Sequence, residues 1–141
     1  MVRVVFDTNV IVSAFIQPKS PPGLLLARVI EGGALELTLS MAILEEVSRA
    51  MHYPGVRKRI RTTDEELALR LAMLDTLSSP VDIHAEALGG SRDPDDDKIL
   101  ATAVAGCADY IVTGDNDLLT LGEYEGIQIV TPRALLELLD R

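Results

Sequence analysis

Val2-Arg3-Val4-Val5-Phe6-Asp7-Thr8-Asn9-Val10 is the stretch on which the fold turns. Val2 to Phe6 is a short β-branched and aromatic run without clean alternation, as expected of a strand covered on both faces of a parallel sheet. It predicts a first, central strand that runs out into an acid, Asp7. Ligands of open parallel sheets sit beyond the carboxyl ends of the strands, so the other strand ends become the places to look for partners of Asp7.

Val10 to Ile16 is ambiguous between helix and strand, and Gln17 to Gly23, with Pro18, Pro21 and Pro22, reads as a loop. Leu24 to Ile30 reads as a helix stopped by Gly32-Gly33. Leu35 to Leu39 is a second strand, and Ser40 is placed to N-cap a helix running to about His52. Thr63 and Glu66 form a capping box ahead of Leu67, Leu71 and Leu74, which recur at helical spacing up to about Ser78. Val81 to Ile83 is a candidate edge strand before the Gly89-Gly90 loop, and a helix is expected from about Asp95 to Gly106. Tyr110 to Thr113 is another buried strand, Asp115 to Leu119 a loop or short turn, and Ile127 to Val130 a last strand. Pro132 opens a closing helix where proline is tolerated. Strands alternating with helices predict a three-layer α/β/α sandwich around a central parallel sheet, formed as one domain over residues 1–141.

The 141 residues are 48% apolar and 25% charged, which suits a globular core and excludes disorder as the main state. Thirteen basic and 22 acidic residues give 13 − 22 = −9, the wrong sign for gripping phosphates by bulk charge. Any nucleic-acid role must therefore come from a local site or from bound cations. One cysteine, Cys107, and two histidines, His52 and His84, cannot assemble a Cys/His zinc set or an internal disulfide, which suits a reducing cytoplasm. Each histidine reads as solvated or satisfied in the fold. No run approaches the roughly 18 apolar residues of a membrane span, and the N-terminus lacks the pattern of a signal peptide.

What stands out is acid. Asp7 follows the first strand, Glu45 and Glu46 lie in the helix after the second, Asp93-Pro94-Asp95-Asp96-Asp97 opens the next helix, and Asp115 and Asp117 follow the Tyr110 strand. Carboxylates driven into one crevice repel unless a divalent cation neutralises them, and hard oxygen donors select Mg²⁺ or Mn²⁺. Only one of Glu45 and Glu46 can point inward, because helix neighbours lie about 100° apart, and Ile43, Leu44 and Val47 do not decide which. An EF-hand count from Asp93 fails, with Lys98 in the glycine position and Val104 in the place of the bidentate glutamate. Plainer roles compete: Asp7 as a helix cap, the Asp93 run as acids favoured at a helix N-terminus, and Thr113-Gly114-Asp115-Asn116-Asp117 as a polar turn.

Taken in order, Val5 to Val10, Leu39-Ser40 through Leu44-Glu45-Glu46-Val47, Arg92 to Lys98, Asp109 to Asp115 and Val130-Thr131-Pro132 resemble PIN-domain proteins. In detail they resemble the bacterial and archaeal PIN proteins that are toxins of toxin–antitoxin pairs. The resemblance spans nearly the whole chain and implies a ribonuclease related to 5′-nucleases that hydrolyses single-stranded RNA with Mg²⁺ or Mn²⁺. By position it implies Asp7, Glu46, Asp97 and Asp115 as catalytic metal ligands, with Asp95 and Asp117 supplementing them. Glu45 is the alternative to Glu46, and Asp96 or Asp95 the alternatives to Asp97. Asn9, Ser40 and Thr113 are expected behind the ligands, and Arg57, Lys58, Arg59 and Arg61 are the candidates for RNA backbone contact, against an ordinary solvated helix end. The resemblance also implies a homodimer and a cognate antitoxin.

Three other classes compete. Asp7-Thr8-Asn9 resembles the start of a haloacid-dehalogenase-like phosphatase, but Asn9 stands where that chemistry needs a second aspartate. A response-regulator receiver needs a late-strand lysine, and the lysines here are Lys19, Lys58 and Lys98. The third is a non-catalytic metal- or partner-binding domain.

Overall fold

The computed structural model describes residues 1–83 and 94–141, without the side chains of residues 94 and 95. His84, the Gly89-Gly90 loop, Asp93 and the Asp95 carboxylate therefore lie outside the described residues. The elements are β1 (Val2–Phe6), α1 (Thr8–Ile16), α2 (Pro21–Glu31), β2 (Leu35–Ser40), α3 (Met41–His52), α4 (Pro54–Arg57) and α5 (Asp64–Leu77). They continue with β3 (Ser79–Val81), α6 (Pro94–Ala105), β4 (Tyr110–Val112), α7 (Asn116–Leu121), β5 (Glu123–Tyr124), β6 (Ile127–Val130) and α8 (Pro132–Leu139).

The sheet order is β3-β2-β1-β4-β6-β5. Every neighbouring pair is parallel except β5 and β6, so the sheet is mixed at one edge. Val4, Val5 and Phe6 of β1 are fully buried, as are Leu37 and Leu39 of β2 and Ile111 and Val112 of β4, because helices cover both faces. The chain builds outward from β1 through β2 to β3 on one side, then returns to lay β4 and β6 on the other. That reversal makes the gap between β1 and β4 the switch point, where the strand ends open onto a crevice.

Several local expectations change. The ambiguous segment after Asp7 is helical, and α1 starts at Thr8 directly beyond the strand. Pro21 and Pro22, expected in a loop, occupy the first turn of α2, where a missing N–H costs nothing. Ser20 caps that helix by accepting from the Gly23 N–H at 3.4 Å. The edge strand is Ser79–Val81, two residues earlier than expected, parallel to β2. Where a loop or short turn is expected from Asp115 to Leu119, Asn116–Leu121 is a short helix capped by Asp115. The β5–β6 hairpin was not anticipated. Its turn places Glu125 at φ 50° and Gly126 at φ 83°, the two positive angles that suit the twist of a tight hairpin.

Candidate metal centre

The backbone sets the first two groups level. Phe6 pairs with Val112, and the Asp7 N–H donates to the Val112 carbonyl at 3.0 Å, so β1 and β4 release their next residues side by side. Thr113 is fully buried; its hydroxyl donates to Asp7 Oδ2 at 2.7 Å and accepts from the Asp115 N–H at 3.0 Å. Because the N–H can only donate, the hydroxyl proton is directed at the carboxylate. Asp7 occupies the N-cap position of α1, yet its side chain makes no capping hydrogen bond; its carbonyl accepts from Val10 and Ile11 instead. The carboxylate takes its hydrogen bond from Thr113, with the Asn9 backbone N–H of the first turn close enough to act on it.

Asp115 does cap a helix, accepting from the Asp117 N–H at 2.8 Å, which folds Asp117 back toward it. Asp96 arrives from the first turn of α6. Among the described residues, carboxylate oxygens of Asp96, Asp115 and Asp117 all lie within 4.8 Å of one another, a spacing at which one ion can bridge them. Asp96 is 5% exposed because it heads the stripe Asp96, Ile99, Leu100 and Ala103, which α6 turns inward. Asp97 was expected to supply this third ligand. One residue on, it is rotated about 100° from Asp96 around the helix and is half-buried, outside the group of three as Asp7 and Glu46 also are. The signal for Asp96 was present in the sequence, since it sits three, four and seven residues before three apolar positions.

Glu46 approaches from α3. It is half-buried, pairs with Lys98 of α6 and lies in electrostatic reach of Asp7, whereas Glu45 is exposed to solvent. Burial alone would raise the Glu46 pKa, but the Lys98 ammonium and the buried Thr8 hydroxyl nearby outweigh it and hold the carboxyl below its usual value. Asp7 moves the other way. Burial pushes its pKa up, the charges of Asp115 and Glu46 add to that, and the Thr113 hydroxyl and the Asn9 backbone N–H only partly oppose it.

The supporting residues do less uniform work than expected. Thr113 touches Asp7 directly. Ser40 caps α3 through the Ile43 N–H at 3.4 Å and lies 2.9 Å from Thr102 Oγ1 of α6, so it joins the two helices that carry Glu46 and Asp96. The Asn9 side chain is exposed, while Thr8, which was not singled out, is 4% exposed beside Glu46. The basic run divides as well. Arg57 donates to the Ile60 carbonyl at 3.0 Å, the Thr62 carbonyl at 2.8 Å and Asp64 Oδ1 at 2.8 Å, fastening the entry to α5. Lys58, Arg59 and Arg61 are exposed. The 12 residues of α3 carry the chain about 18 Å from Ser40 before this run begins.

Asp96 of α6 thus meets Asp115 and Asp117 of the β4–α7 junction at the switch point, with Asp7 within electrostatic reach of Asp115 and of Glu46 on α3, a hard-oxygen donor set of the kind that binds divalent cations. The model of the PIN domain family matches residues 3–117, and the chain belongs to that family, whose members are generally nucleases that bind divalent metal through acidic residues. An uncharacterized protein of Methanocaldococcus jannaschii, MJ1680, is 29% identical over 144 positions, covering 96% of this chain and 90% of that protein. No described helix is long and apolar enough to cross a membrane.

Proposed function

We propose that the protein is an endoribonuclease for single-stranded RNA that works with Mg²⁺ or Mn²⁺ held by Asp7, Glu46, Asp96 and Asp115, with Asp117 completing the outer edge. The observation that carries this reading is the carboxylate group of Asp96, Asp115 and Asp117, with a buried Asp7 in electrostatic reach of Asp115. A bound cation would supply Lewis acidity, lowering the pKa of a water and neutralising charge on the phosphodiester. Thr113 fixes the orientation of Asp7, and its bond to the Asp115 amide keeps the two acids in register. Ser40 and Thr102 hold α3 against α6, so that Glu46 keeps its place opposite Asp7. The haloacid-dehalogenase-like alternative loses ground because the Asn9 side chain is exposed and supplies no acid/base group.

A net charge of −9 makes a local basic surface necessary for RNA, and Lys58, Arg59 and Arg61 are the exposed candidates. Arg57 is not among them, because its guanidinium is engaged with Ile60, Thr62 and Asp64. The likeness to toxin-type PIN proteins extends the proposal to the toxin of a cytoplasmic toxin–antitoxin pair, acting as a homodimer held in check by its antitoxin.

The test is cleavage of a mixed single-stranded RNA pool with Mn²⁺, with Mg²⁺ and with EDTA, alongside Asp7→Asn purified identically. Metal-dependent cleavage lost by at least roughly a hundredfold in the variant is the expected result, the scale of losing a group that stabilises transition-state charge. Equal activity in both proteins would assign the cleavage to a contaminant and reject the reading.

A further inference from the structure

Lys98 brings a cation to the acids of the crevice. Its ammonium pairs with Glu46 across the α3–α6 contact, and the two side chains are only 20% and 25% exposed, so water and salt screen the pair less than a surface ion pair. The placement is built into the fold. The Lys98 carbonyl accepts from Thr102 Oγ1 at 2.6 Å, and the same Thr102 is bonded to Ser40, the cap of α3. The turn bearing the ammonium and the helix bearing the carboxylate are therefore held to each other one turn away. Arg49 also acts on Glu46 electrostatically, but from an exposed position on the same helix.

A divalent cation liganded by Glu46 and an ammonium on the same carboxylate are like charges a few ångströms apart. We propose that Lys98 is a positioning residue that holds Glu46 in place in the unloaded protein and competes with the incoming cation for it, setting the concentration at which the site fills. The inference rests on Glu46 being a ligand, as argued under the proposed function. Without metal, Lys98 offsets one charge of the crowded carboxylates. With metal, the pair opens and the ammonium is left at the mouth of the crevice.

Mn²⁺ titration of the whole chain, followed by electron paramagnetic resonance, tests this without reference to catalysis. Lys98→Met is expected to bind Mn²⁺ about tenfold more tightly than wild type, because the competing charge is gone. Lys98→Arg is expected to stay near wild type. In a Glu46→Gln background the effect of Lys98→Met is expected to vanish, since the carboxylate contested by both cations is absent. Melting in EDTA is expected to show Lys98→Met less stable than wild type, a loss that a purely structural lysine would share without any gain in affinity. Lys98→Gln, which removes the charge and keeps a hydrogen-bond donor, repeats the titration should Lys98→Met not fold. Saturable Mn²⁺ binding by wild type with equal or weaker binding by the charge-removing variants overturns the competition and leaves the metal centre standing. No saturable binding by wild type overturns both.

Discussion

Arg3 of β1 lies opposite Glu36 of β2 in the parallel register, with Nε 3.3 Å from Oε2, while Ser79 donates to Glu36 Oε1 at 2.6 Å and Asp109 accepts from the Arg3 N–H at 2.9 Å. Each acid there has a donor, and the Ser79 hydroxyl and the Arg3 guanidinium hold Glu36 below the usual carboxylate range. At the far end of the same strand, Asp7 faces Asp115 and Glu46, and burial together with those charges lifts its pKa. The first arrangement serves the sheet. The second works against the stability of the unloaded protein, and what reconciles it with a folded chain is a task that needs concentrated negative charge.

The sharpest way to break this contrast is Thr113→Val. It removes the buried hydroxyl that serves Asp7 and the Asp115 amide together, leaving both without that partner, and is expected to cost about 1–3 kcal/mol. Chemical denaturation measures the cost, and nuclease assays should show activity falling with it. A loss near zero would mean that the strand ends are held by other contacts.

Arg57→Ala is expected to follow, at about 1–2 kcal/mol by denaturation, because three partners at the entry to α5 lose their donor. Replacing Lys58, Arg59 and Arg61 together should leave stability nearly unchanged and flatten the salt dependence of RNA binding. A reversed pattern would assign Arg57 to the RNA surface after all.

The smallest effects compare the two ends of β1 directly. An acid whose folded pKa lies above its unfolded value binds protons more readily when folded, so stability falls as pH rises through that interval and stays reduced above it. Asp7→Asn is therefore expected to raise the melting temperature in EDTA at neutral pH by about 2–4 °C and to remove that slope. For Glu36 the sign is opposite. Its lowered pKa favours the folded state above the unfolded value, so Glu36→Gln should lower stability slightly, within about 0.5 kcal/mol for an exposed pair. Equal responses at the two sites would erase the distinction.

Much of this was legible in the sequence because its causes are local. The burial of β1, the Ser40 cap, the Thr63 cap of α5 and the proline start of α8 each rest on a few neighbouring residues. The errors have local causes too. Pro21 and Pro22 suit a loop and a helix first turn alike, and the Ser20 cap decides for the helix. At the start of α6 the family spacing favours Asp97, whereas the inward stripe of the helix brings Asp96 to Asp115 and Asp117.

By itself the sequence determined the sandwich architecture, the acids at the strand ends and the lack of residues for a Cys/His zinc set or an internal disulfide, since periodicity, capping and residue counts act over short spans. Only the tertiary structure decided which acids meet. Whether Asp7 caps its helix or faces Thr113, whether Glu45 or Glu46 turns inward, and whether Lys98 is a surface charge or the partner of Glu46 depend on groups 52 to 106 residues away. Such contacts are set by sheet order and helix rotation, which no local pattern encodes.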